Sequence, residues 1–590
     1  MKGILGAYTL MTAVAITALM TVSLTACANP LQSKENDKGI YVFAPNADMT
    51  VPKARTLSGN YLAARFAQRH QDWHAAHIYM KNVIAMDTEN PLLTQRAFLL
   101  AIGAGAHDSA KNLATGIAAA GAENSELAYI YLACDALRDN DFNKAATMIG
   151  QLPDDGFGQY TKPLLMAWTT MGREGKEAAI AYLKTQAEET DPTFNVHAAL
   201  MNELAGDTQA AERHYRTAMA EGLTLPNAVL AGNFFQRKGD TEMAQKIYNG
   251  LGEAYAFTPF VGKNTRANIR SAADGAAVAL FDLASLLYER RAYDSAQIYG
   301  RLVQLLSPGS AFAHLMLGDI AAINTQYGDA VAAYDGIAKT SPLYWLARMR
   351  VAEVYEASGH SETAAALLHE LTQNKETRIQ ALIGLGDLHR RHEHFAEALE
   401  AYDTALAEIG DVTEDHWAVV YARGMSLERL NNWDRAEKDL LQALSFQPDN
   451  PMILNYIGYS WAEKGINLQQ AKEYLHRAVT LRPNDGYILD SYGWVLYRLG
   501  KFEEAAQWLE KSVAYVPDDS HILDHLGDAY WQTGRKTEAR FKWKRAHDLS
   551  KDADFRTLAQ QKMARGIEAP ATTVVVQQVP PQDAVLSSRP

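Results

Sequence analysis

Small apolar residues recur along this chain at nearly constant spacing. One alanine position is repeated at intervals of 34, 34, 34, 38, 35, 34 and 34 residues, at Ala296, Ala330, Ala364, Ala398, Ala436, Ala471, Ala505 and Ala539. Twelve residues before it lies a second small position, filled by alanine or glycine in seven units, with Gly458 displaced by one inserted residue. Because antiparallel helices approach closely only where their facing side chains are small, each unit is predicted to be a helical hairpin.

Prolines mark the predicted ends of the second helices. They lie twelve residues after the alanine, at Pro308, Pro342, Pro448, Pro483 and Pro517, where a missing N–H group stops a helix. The run from Asp490 to Ala505 resembles the tetratricopeptide repeat (TPR), whose period is 34 residues. The resemblance implies an all-α fold over residues 277–552, a solenoid of stacked TPR hairpins that coils as a right-handed superhelix.

The same step continues upstream with a weaker signal. Six alanines are spaced by 34, 35, 34, 32 and 33 residues, at Ala76, Ala110, Ala145, Ala179, Ala211 and Ala244. The next interval, from Ala244 to Ala296, is 52 residues and predicts an insertion at 252–276, interpreted as a loop on one face of the solenoid. We therefore expect a degenerate N-terminal array over 58–251, six units before the insertion and eight after it, and a disordered tail over 566–590.

The amino terminus is typical of an exported protein. Lys2 precedes an apolar stretch from Ile4 to Leu24, as in a secretory signal peptide. The stretch ends Leu24-Thr25-Ala26-Cys27, which resembles the bacterial lipobox and implies cleavage after residue 26 and lipidation of Cys27. The alternative is an uncleaved membrane helix, because about 20 apolar residues can span a bilayer.

The residues after the lipobox bear on location. Ala28 follows the cysteine, and in such lipoproteins the absence of aspartate there implies the outer membrane, with the protein on its periplasmic face. Residues 27–57 have no clear period and are predicted to be a flexible tether. Cys134, in an apolar helical run, is expected to be a buried small residue.

Composition excludes several classes of protein. Hydrophobic residues make up 48% of the 590 positions and charged residues 21%, which excludes disorder for most of the chain. The net charge of −13 disfavours nucleic-acid binding, which needs clustered Lys and Arg. Two cysteines build neither a disulfide framework nor a Cys-based zinc site alone.

The TPR resemblance also predicts a binding groove lined by the first helices. The residue after each small one, and those three or four further on, share one helix face. In the C-terminal units we select ten aromatic, charged or polar residues on or one turn before this face as the candidate partner-binding site: Arg429, Asn455, Tyr459, Asp490, Trp494, Tyr497, Arg498, Asp524, Asp528 and Trp531. The alternative is that Tyr459, Trp494 and Trp531 pack between neighbouring hairpins. The carboxylate clamp of some TPR proteins needs Lys, Asn and Arg in this groove. The acidic residues Asp490 and Asp524 argue against such a clamp here.

Motifs that resemble catalytic sites fall inside the repeat pattern. His392-Glu393-His394, with His389, is a weak metal-binding candidate at a predicted turn. Gly458 to Ala462 lacks the last glycine of a nucleophile elbow and lies within a predicted helix. Gly103-Ala104-Gly105 lacks a preceding strand. We therefore expect no enzymatic activity, no metal and no cofactor.

A lipobox followed by a long TPR array is similar to a group of proteobacterial outer-membrane lipoproteins. Its members tether periplasmic carboxyl-terminal processing proteases and deliver cell-wall hydrolases to them. The resemblance implies a lipid-anchored periplasmic scaffold that binds protein or peptide partners, such a protease among them. One alternative is a TPR subunit of a polysaccharide-export or outer-membrane assembly complex. An enzyme that uses the histidine cluster is a more remote one.

Overall fold

A computed structural model describes residues 34–35, 41–43, 51–52, 54–121, 125–154, 158–186, 191–251, 269–375 and 377–568. The chain divides into two compact units, of which unit 1 ends at Leu367 and unit 2 begins at Leu368. The predicted signal peptide, Cys27, residues 252–268 of the predicted insertion and the predicted tail from residue 569 lie outside the described residues.

The described chain is helical apart from one short strand pair, β1 (Lys34–Glu35) and β2 (Tyr41–Val42), which is antiparallel. The helices of the N-terminal array are α1 (Leu57–Arg69), α2 (Trp73–Met86), α3 (Pro91–Gly103), α4 (His107–Ala120), α5 (Glu126–Arg138), α6 (Phe142–Gly150), α7 (Gly158–Glu174), α8 (Lys176–Gln186), α9 (Pro192–Leu204), α10 (Thr208–Glu221), α11 (Leu225–Lys238) and α12 (Thr241–Asn249).

The helices after the insertion are α13 (Ala272–Glu289), α14 (Tyr293–Leu306), α15 (Ala311–Ile323), α16 (Tyr327–Asp335), α17 (Tyr344–Ala357), α18 (Ser361–Leu371), α19 (Arg378–Arg391), α20 (Phe395–Ile409), α21 (Trp417–Arg429), α22 (Trp433–Phe446), α23 (Pro451–Lys464), α24 (Leu468–Leu481), α25 (Gly486–Arg498), α26 (Phe502–Tyr515), α27 (Ser520–Gln532), α28 (Lys536–Leu549) and α29 (Ala553–Arg565), with a 3₁₀ turn at Glu414–His416 before α21. Within the described ranges, α1 to α28 form six helix pairs before the insertion and eight after it, as predicted. None of the described helices has the length and apolarity needed to cross a membrane.

The alanine column is the packing seam of the hairpins. All fourteen of its alanines, from Ala76 to Ala539, have an exposed fraction of 0%. Each lies on the second helix of its pair. The burial predicted from the spacing is therefore confirmed for all fourteen alanines.

Glycine on the first helix makes room for a large side chain on the second. A Cβ atom at Gly318 would lie 2.4 Å from the ring of Tyr334, and one at Gly386 would lie 2.5 Å from Tyr402. At Gly493 the facing side chain is Leu509, 2.7 Å away. Since these distances are shorter than van der Waals contact, the side chain at the first-helix position must be small.

Most hairpin turns contain one residue in the left-handed region. In twelve hairpins it lies five residues before the alanine, where it is glycine or, as at Thr325 (φ 59°) and Glu393 (φ 61°), another residue. The turn between α23 and α24 instead has two, Gly465 and Asn467. This turn accommodates the inserted residue that displaces Gly458.

Unit 1 does not continue as a simple stack after the insertion. Helix α13 packs against α5, α7 and α9, and α14 packs against α3 and α5, all first helices of the N-terminal array. The ring of Trp168 lies against Gly275, where a Cβ would be 2.4 Å away. The carbonyl of Gly103 accepts hydrogen bonds from Gln297 at 3.0 Å and from Arg301 at 3.3 Å. The chain thus fills the first-helix face of its own N-terminal array.

This arrangement adds to the sequence-based view of the insertion. Residues 269–276 belonged to the predicted insertion at 252–276, but the structure starts α13 at Ala272. After the predicted insertion the chain does not pack on the preceding hairpin alone. Helix α13 packs against helices from well before the insertion.

Part of the predicted tether is buried. Phe43 is 6% exposed and stacks on Tyr355 with ring centres 5.2 Å apart, beside Tyr327 and His360. At this point, the segment predicted to be flexible is held by unit 1. Cys134 is buried as predicted, and its burial raises the pKa of the thiol.

Candidate functional site

The first helices of unit 2 form one continuous surface. Besides packing in its own hairpin, α25 contacts both α23 and α27, and α21 contacts α19. Tyr421 of α21 meets Tyr456 of α23 edge to face, with ring centres 5.8 Å apart. We call the surface made by α19, α21, α23, α25 and α27 the first-helix face of unit 2. Beneath it, one hydrophobic cluster extends from Ala398 to Trp543, so that the helices carrying this face are held by a common core.

Two neighbouring clefts open on this face and share Tyr459. Cleft A has a volume of about 400 Å³ and is lined by residues that include Glu428, Arg429, Tyr456 and Glu463. Cleft B has a volume of about 270 Å³ and is lined by residues that include Asn455, Tyr487, Asp490, Asp519, His521 and His525. Four of the ten residues predicted from sequence therefore line a cleft, namely Arg429, Asn455, Tyr459 and Asp490.

In cleft A, charged groups lie beside aromatic rings. The side chain of Arg429 is 54% exposed and 4.0 Å from the carboxylate of Glu393, with its guanidinium carbon 5.0 Å from the ring centre of Phe395. The hydroxyl of Tyr456 donates a hydrogen bond to Glu428 at 3.3 Å. Because Arg429 is exposed and its ion pair is long, it is available to a ligand.

In cleft B, Asp490 is paired with a histidine that the sequence analysis did not select. His525 Nδ1 lies 3.0 Å from the Asp490 carboxylate, and Trp494 stacks on the His525 ring at 4.1 Å with an interplanar angle of 13°. Burial lowers the pKa of His525, but Asp490, Asp524 and Asp528 outweigh this effect and raise it to about 9. At neutral pH the ring is therefore an imidazolium, which both the carboxylate and the indole face favour.

The other two aspartates bind a lysine from the last helix. Lys562 of α29 lies 2.6 Å from Asp524 and 2.9 Å from Asp528. Asp528 also accepts a hydrogen bond from the indole N–H of Trp543 at 2.8 Å. Burial and the Asp524 charge raise the pKa of Asp528 to about 6. These carboxylates dock α29, a helix that the sequence analysis assigned to neither the array nor the tail.

The remaining selected residues lie in intramolecular contacts. Tyr497 is buried and stacks on Trp494 at 4.8 Å. Arg498 donates to the Glu463 carbonyl at 2.8 Å. Trp531 packs on Trp543 at 5.4 Å, and a Cβ at Gly566 would lie 1.8 Å from its ring. Contacts of this kind are expected if the aromatic residues pack between neighbouring hairpins, which is the alternative given above. Partner binding by these residues stays a prediction.

A sequence signal for part of this pattern exists. In four units the residue after the small one accepts a hydrogen bond from an aromatic side chain fifteen positions later: Asn233 from Tyr248 at 2.7 Å, Asp319 from Tyr334 at 2.6 Å, Asp387 from Tyr402 at 2.6 Å and Asp528 from Trp543 at 2.8 Å. In the units of α21, α23 and α25 the second helix has leucine facing the glycine instead. Cleft A lies among these leucine units, and cleft B lies between them and α27.

The histidine cluster lies in a turn, as predicted. His392 to His394 connect α19 and α20 and are exposed, and the rings of His389 and His394 are 6.0 Å apart. Across the described part of the chain, no group of three or more histidine, cysteine or acidic side chains is placed to hold a metal ion. Gly458 to Ala462 lie inside α23, as expected.

Comparison with known proteins agrees with this geometry. The family model for the tetratricopeptide repeat matches residues 315–379, 383–451, 421–486, 462–520 and 492–553. These stretches are tetratricopeptide repeats. A TPR repeat-containing protein of Pseudomonas aeruginosa is 31% identical over 195 residues, which is 32% of this chain and 32% of the relative. The match thus spans about a third of that relative's length.

Two solved structures are similar to this chain at lower identity. The APC/C hetero-tetramer Cut9-Hcn1 has a TM-score of 0.38 and 14% identity, over 87% of this chain and 97% of that one. Yeast Tom70 has a TM-score of 0.30 and 14% identity, over 86% of this chain and 95% of that one.

Proposed function

We propose that this protein is a scaffold that holds a protein partner on the first-helix face of unit 2. The observation that carries the proposal is the pair of clefts sharing Tyr459, lined by aromatic and charged side chains. TPR arrays are protein-interaction modules, and aromatic and arginine side chains are the usual anchors of such interfaces. The first-helix face of the N-terminal array is filled by α13 and α14, which leaves unit 2 as the better candidate.

Affinity capture with paired variants tests this proposal. Tagged full-length protein is used to capture partners from a detergent extract of its own membranes, and each is quantified by mass spectrometry. Tyr459→Ala/Tyr487→Ala should reduce a partner's recovery at least tenfold. Phe541→Ala, which removes an aromatic side chain 69% exposed on the second helix α28, should leave recovery unchanged. Equal recovery by both variants would contradict the proposal.

We further propose that the scaffold is lipid-anchored at Cys27 in the outer membrane, on the periplasmic face. The support is the lipobox-like run from Leu24 to Cys27 followed by Ala28. Labelled palmitate should be incorporated into the wild type and not into Cys27→Ala. Sedimentation of the labelled protein with inner-membrane vesicles would contradict the outer-membrane assignment.

The partner class that we propose is a periplasmic processing protease together with its cell-wall hydrolase substrates. This step rests on the likeness of a lipobox plus TPR array to lipoproteins that act in this way. Deletion of the gene should raise the amount of a cell-wall hydrolase, because its degradation would slow. Unchanged hydrolase levels, together with capture of polysaccharide-export subunits, would instead favour the alternative complex.

A further inference from the structure

Cleft B holds hydrogen-bonding groups that the chain itself leaves unused. Asn455 makes no side-chain hydrogen bond to any described residue, and its Oδ1 atom is buried. His525 lines the cleft with Nδ1 engaged by Asp490, and its other nitrogen, Nε2, has no partner among the described residues. Since a buried polar group without a partner is costly, Asn455 Oδ1 indicates a ligand that supplies a donor. His525 Nε2, in the same cleft, is open to an acceptor of that ligand.

The complementary group is a main-chain amide. The imidazolium of His525 can only donate through Nε2, and the amide of Asn455 offers an acceptor and donors on adjacent atoms. In an extended chain, the N–H donor and the carbonyl acceptor of one residue point to the same side. A segment of extended chain lying in the cleft would therefore satisfy both residues. A carboxylate alone supplies no donor, and an ammonium group alone supplies no acceptor.

The charges around the cleft select the side chain of that segment. Burial together with Glu463, Asp490 and Asp519 raises the pKa of Tyr459, and burial together with Asp519 and Asp485 raises that of Tyr487. The hydroxyls of both tyrosines thus lie in a negative field. Tyr487 is also 58% exposed, so that an aromatic face is open to a cation.

We propose that cleft B binds an extended peptide segment bearing lysine or arginine, whose main-chain amide pairs with Asn455 and His525 and whose cationic side chain lies between Tyr459, Tyr487 and Asp519. This inference rests on the proposed function of unit 2 and adds the chemical class of the partner segment. His525 balances the charge of Asp490, so the carboxylate of Asp519 is the group that disfavours an acidic segment and attracts a basic one.

Binding of three matched peptides tests the inference. The probes are amidated octapeptides of alternating alanine with lysine, glutamine or glutamate, each labelled with tetramethylrhodamine, and binding to the full chain is followed by fluorescence anisotropy in 150 mM NaCl. The lysine peptide should bind at least tenfold more tightly than the glutamate peptide, with the glutamine peptide between them.

Variants separate the cleft from general attraction to an acidic protein. Asn455→Ala should weaken the lysine peptide about three- to tenfold, the value of one hydrogen bond. Asp519 accepts hydrogen bonds from the backbone N–H groups of His521 and Ile522 at the start of α27, and asparagine preserves such a cap. Asp519→Asn should therefore leave the fold intact while reducing the lysine preference about two- to fivefold. Gln469→Ala, on the exposed side of α24, is the matched control and should change nothing.

Each result bears on the inference separately from the proposed function. Equal or tighter binding of the glutamine or glutamate peptide, weakened by Tyr459→Ala, would overturn the basic preference and leave the binding face standing. Lysine binding that Asn455→Ala and Asp519→Asn do not change would overturn the assignment to cleft B. No binding of any peptide would also overturn it, and the capture experiment then decides the scaffold function alone.

Discussion

Replacing Lys562 with methionine should release the last helix from unit 2. Lys562 is the cation between two carboxylates, 2.6 Å from Asp524 and 2.9 Å from Asp528, and the side chains of all three are about 8–11% exposed. Lys562 is the counter-ion of both aspartates, and each of them loses that partner in Lys562→Met. Methionine preserves the length and apolar part of the side chain, so that the substitution removes mainly the charge.

The expected cost follows from burial. Breaking a buried ion pair by removing one partner costs about 3–5 kcal/mol, most of it the penalty of the charge left behind. Apart from this cation, α29 is held by contacts such as Phe555 on His521 at 4.8 Å and Gly566 beneath Trp531. A loss of that size should lower the hydrogen-exchange protection of α29 amides by about a hundredfold or more.

Hydrogen exchange measured by mass spectrometry gives the assay. Peptides covering α29 should exchange rapidly in Lys562→Met, while those covering α21 to α24 keep their protection. Lys544→Met removes an exposed lysine 2.6 Å from Asp548 and should have little effect, since exposed pairs contribute about 0–1 kcal/mol. Adding Asp524→Asn to Lys562→Met should restore part of the protection. Unchanged protection of α29 in Lys562→Met would refute the assignment of a buried charge cluster.

Three further predictions concern unit stability, measured by urea unfolding and circular dichroism. Gly386→Ala should destabilise by about 1–3 kcal/mol, because its Cβ would lie 2.5 Å from Tyr402, whereas Gly116→Ala, with open space around it, should stabilise by up to about 1 kcal/mol. Equal effects would contradict the packing seam. Thr325→Gly should stabilise by roughly 0.5–1 kcal/mol, since a β-branched residue is strained at φ 59°; a loss of stability would contradict this. Burial lowers the pKa of His525, but its carboxylate neighbours raise it to about 9 from 6.5, so its stabilisation should be complete below pH 6.5 and disappear as pH rises through about 9. A His525 resonance, assigned by its loss in His525→Gln, that titrates near pH 6.5 would refute that.

The repeat fold was predictable because it depends on short-range spacing. Hairpin packing requires small side chains at fixed positions on two helices close in sequence, and the alanines from Ala76 to Ala539 record that requirement directly. Proline positions added the helix ends. The fourteen hairpins therefore followed from one period and one packing argument.

The return of α13 to the N-terminal array was not predictable from that period. Helix α13 contacts α5, α7 and α9, whose residues lie far from it in sequence, and repeat spacing carries no information about such distant contacts. Burial of Phe43 against Tyr355 is of the same kind. A single aromatic residue in an aperiodic segment gives no sign of the pocket that receives it.

The candidate site was predictable in location but only in part by residue. The helical period placed Tyr459 and Asn455 on the face where the structure has cleft B. It also selected Asp528, which accepts a hydrogen bond from Trp543. The aromatic residue fifteen positions later in the sequence indicates that contact. His525 was missed because its partner, Asp490, lies one whole repeat away, and a charge pair across repeats leaves no local pattern.

Site-specific photo-crosslinking tests the central claim most directly. Benzoylphenylalanine is placed at Tyr487 on the first-helix face of unit 2 or at Phe541 on a second helix, residues that are 58% and 69% exposed. After irradiation of intact cells, the account predicts a discrete crosslinked protein from position 487 and none from position 541. A crosslinked partner at position 541 with none at position 487 would contradict it.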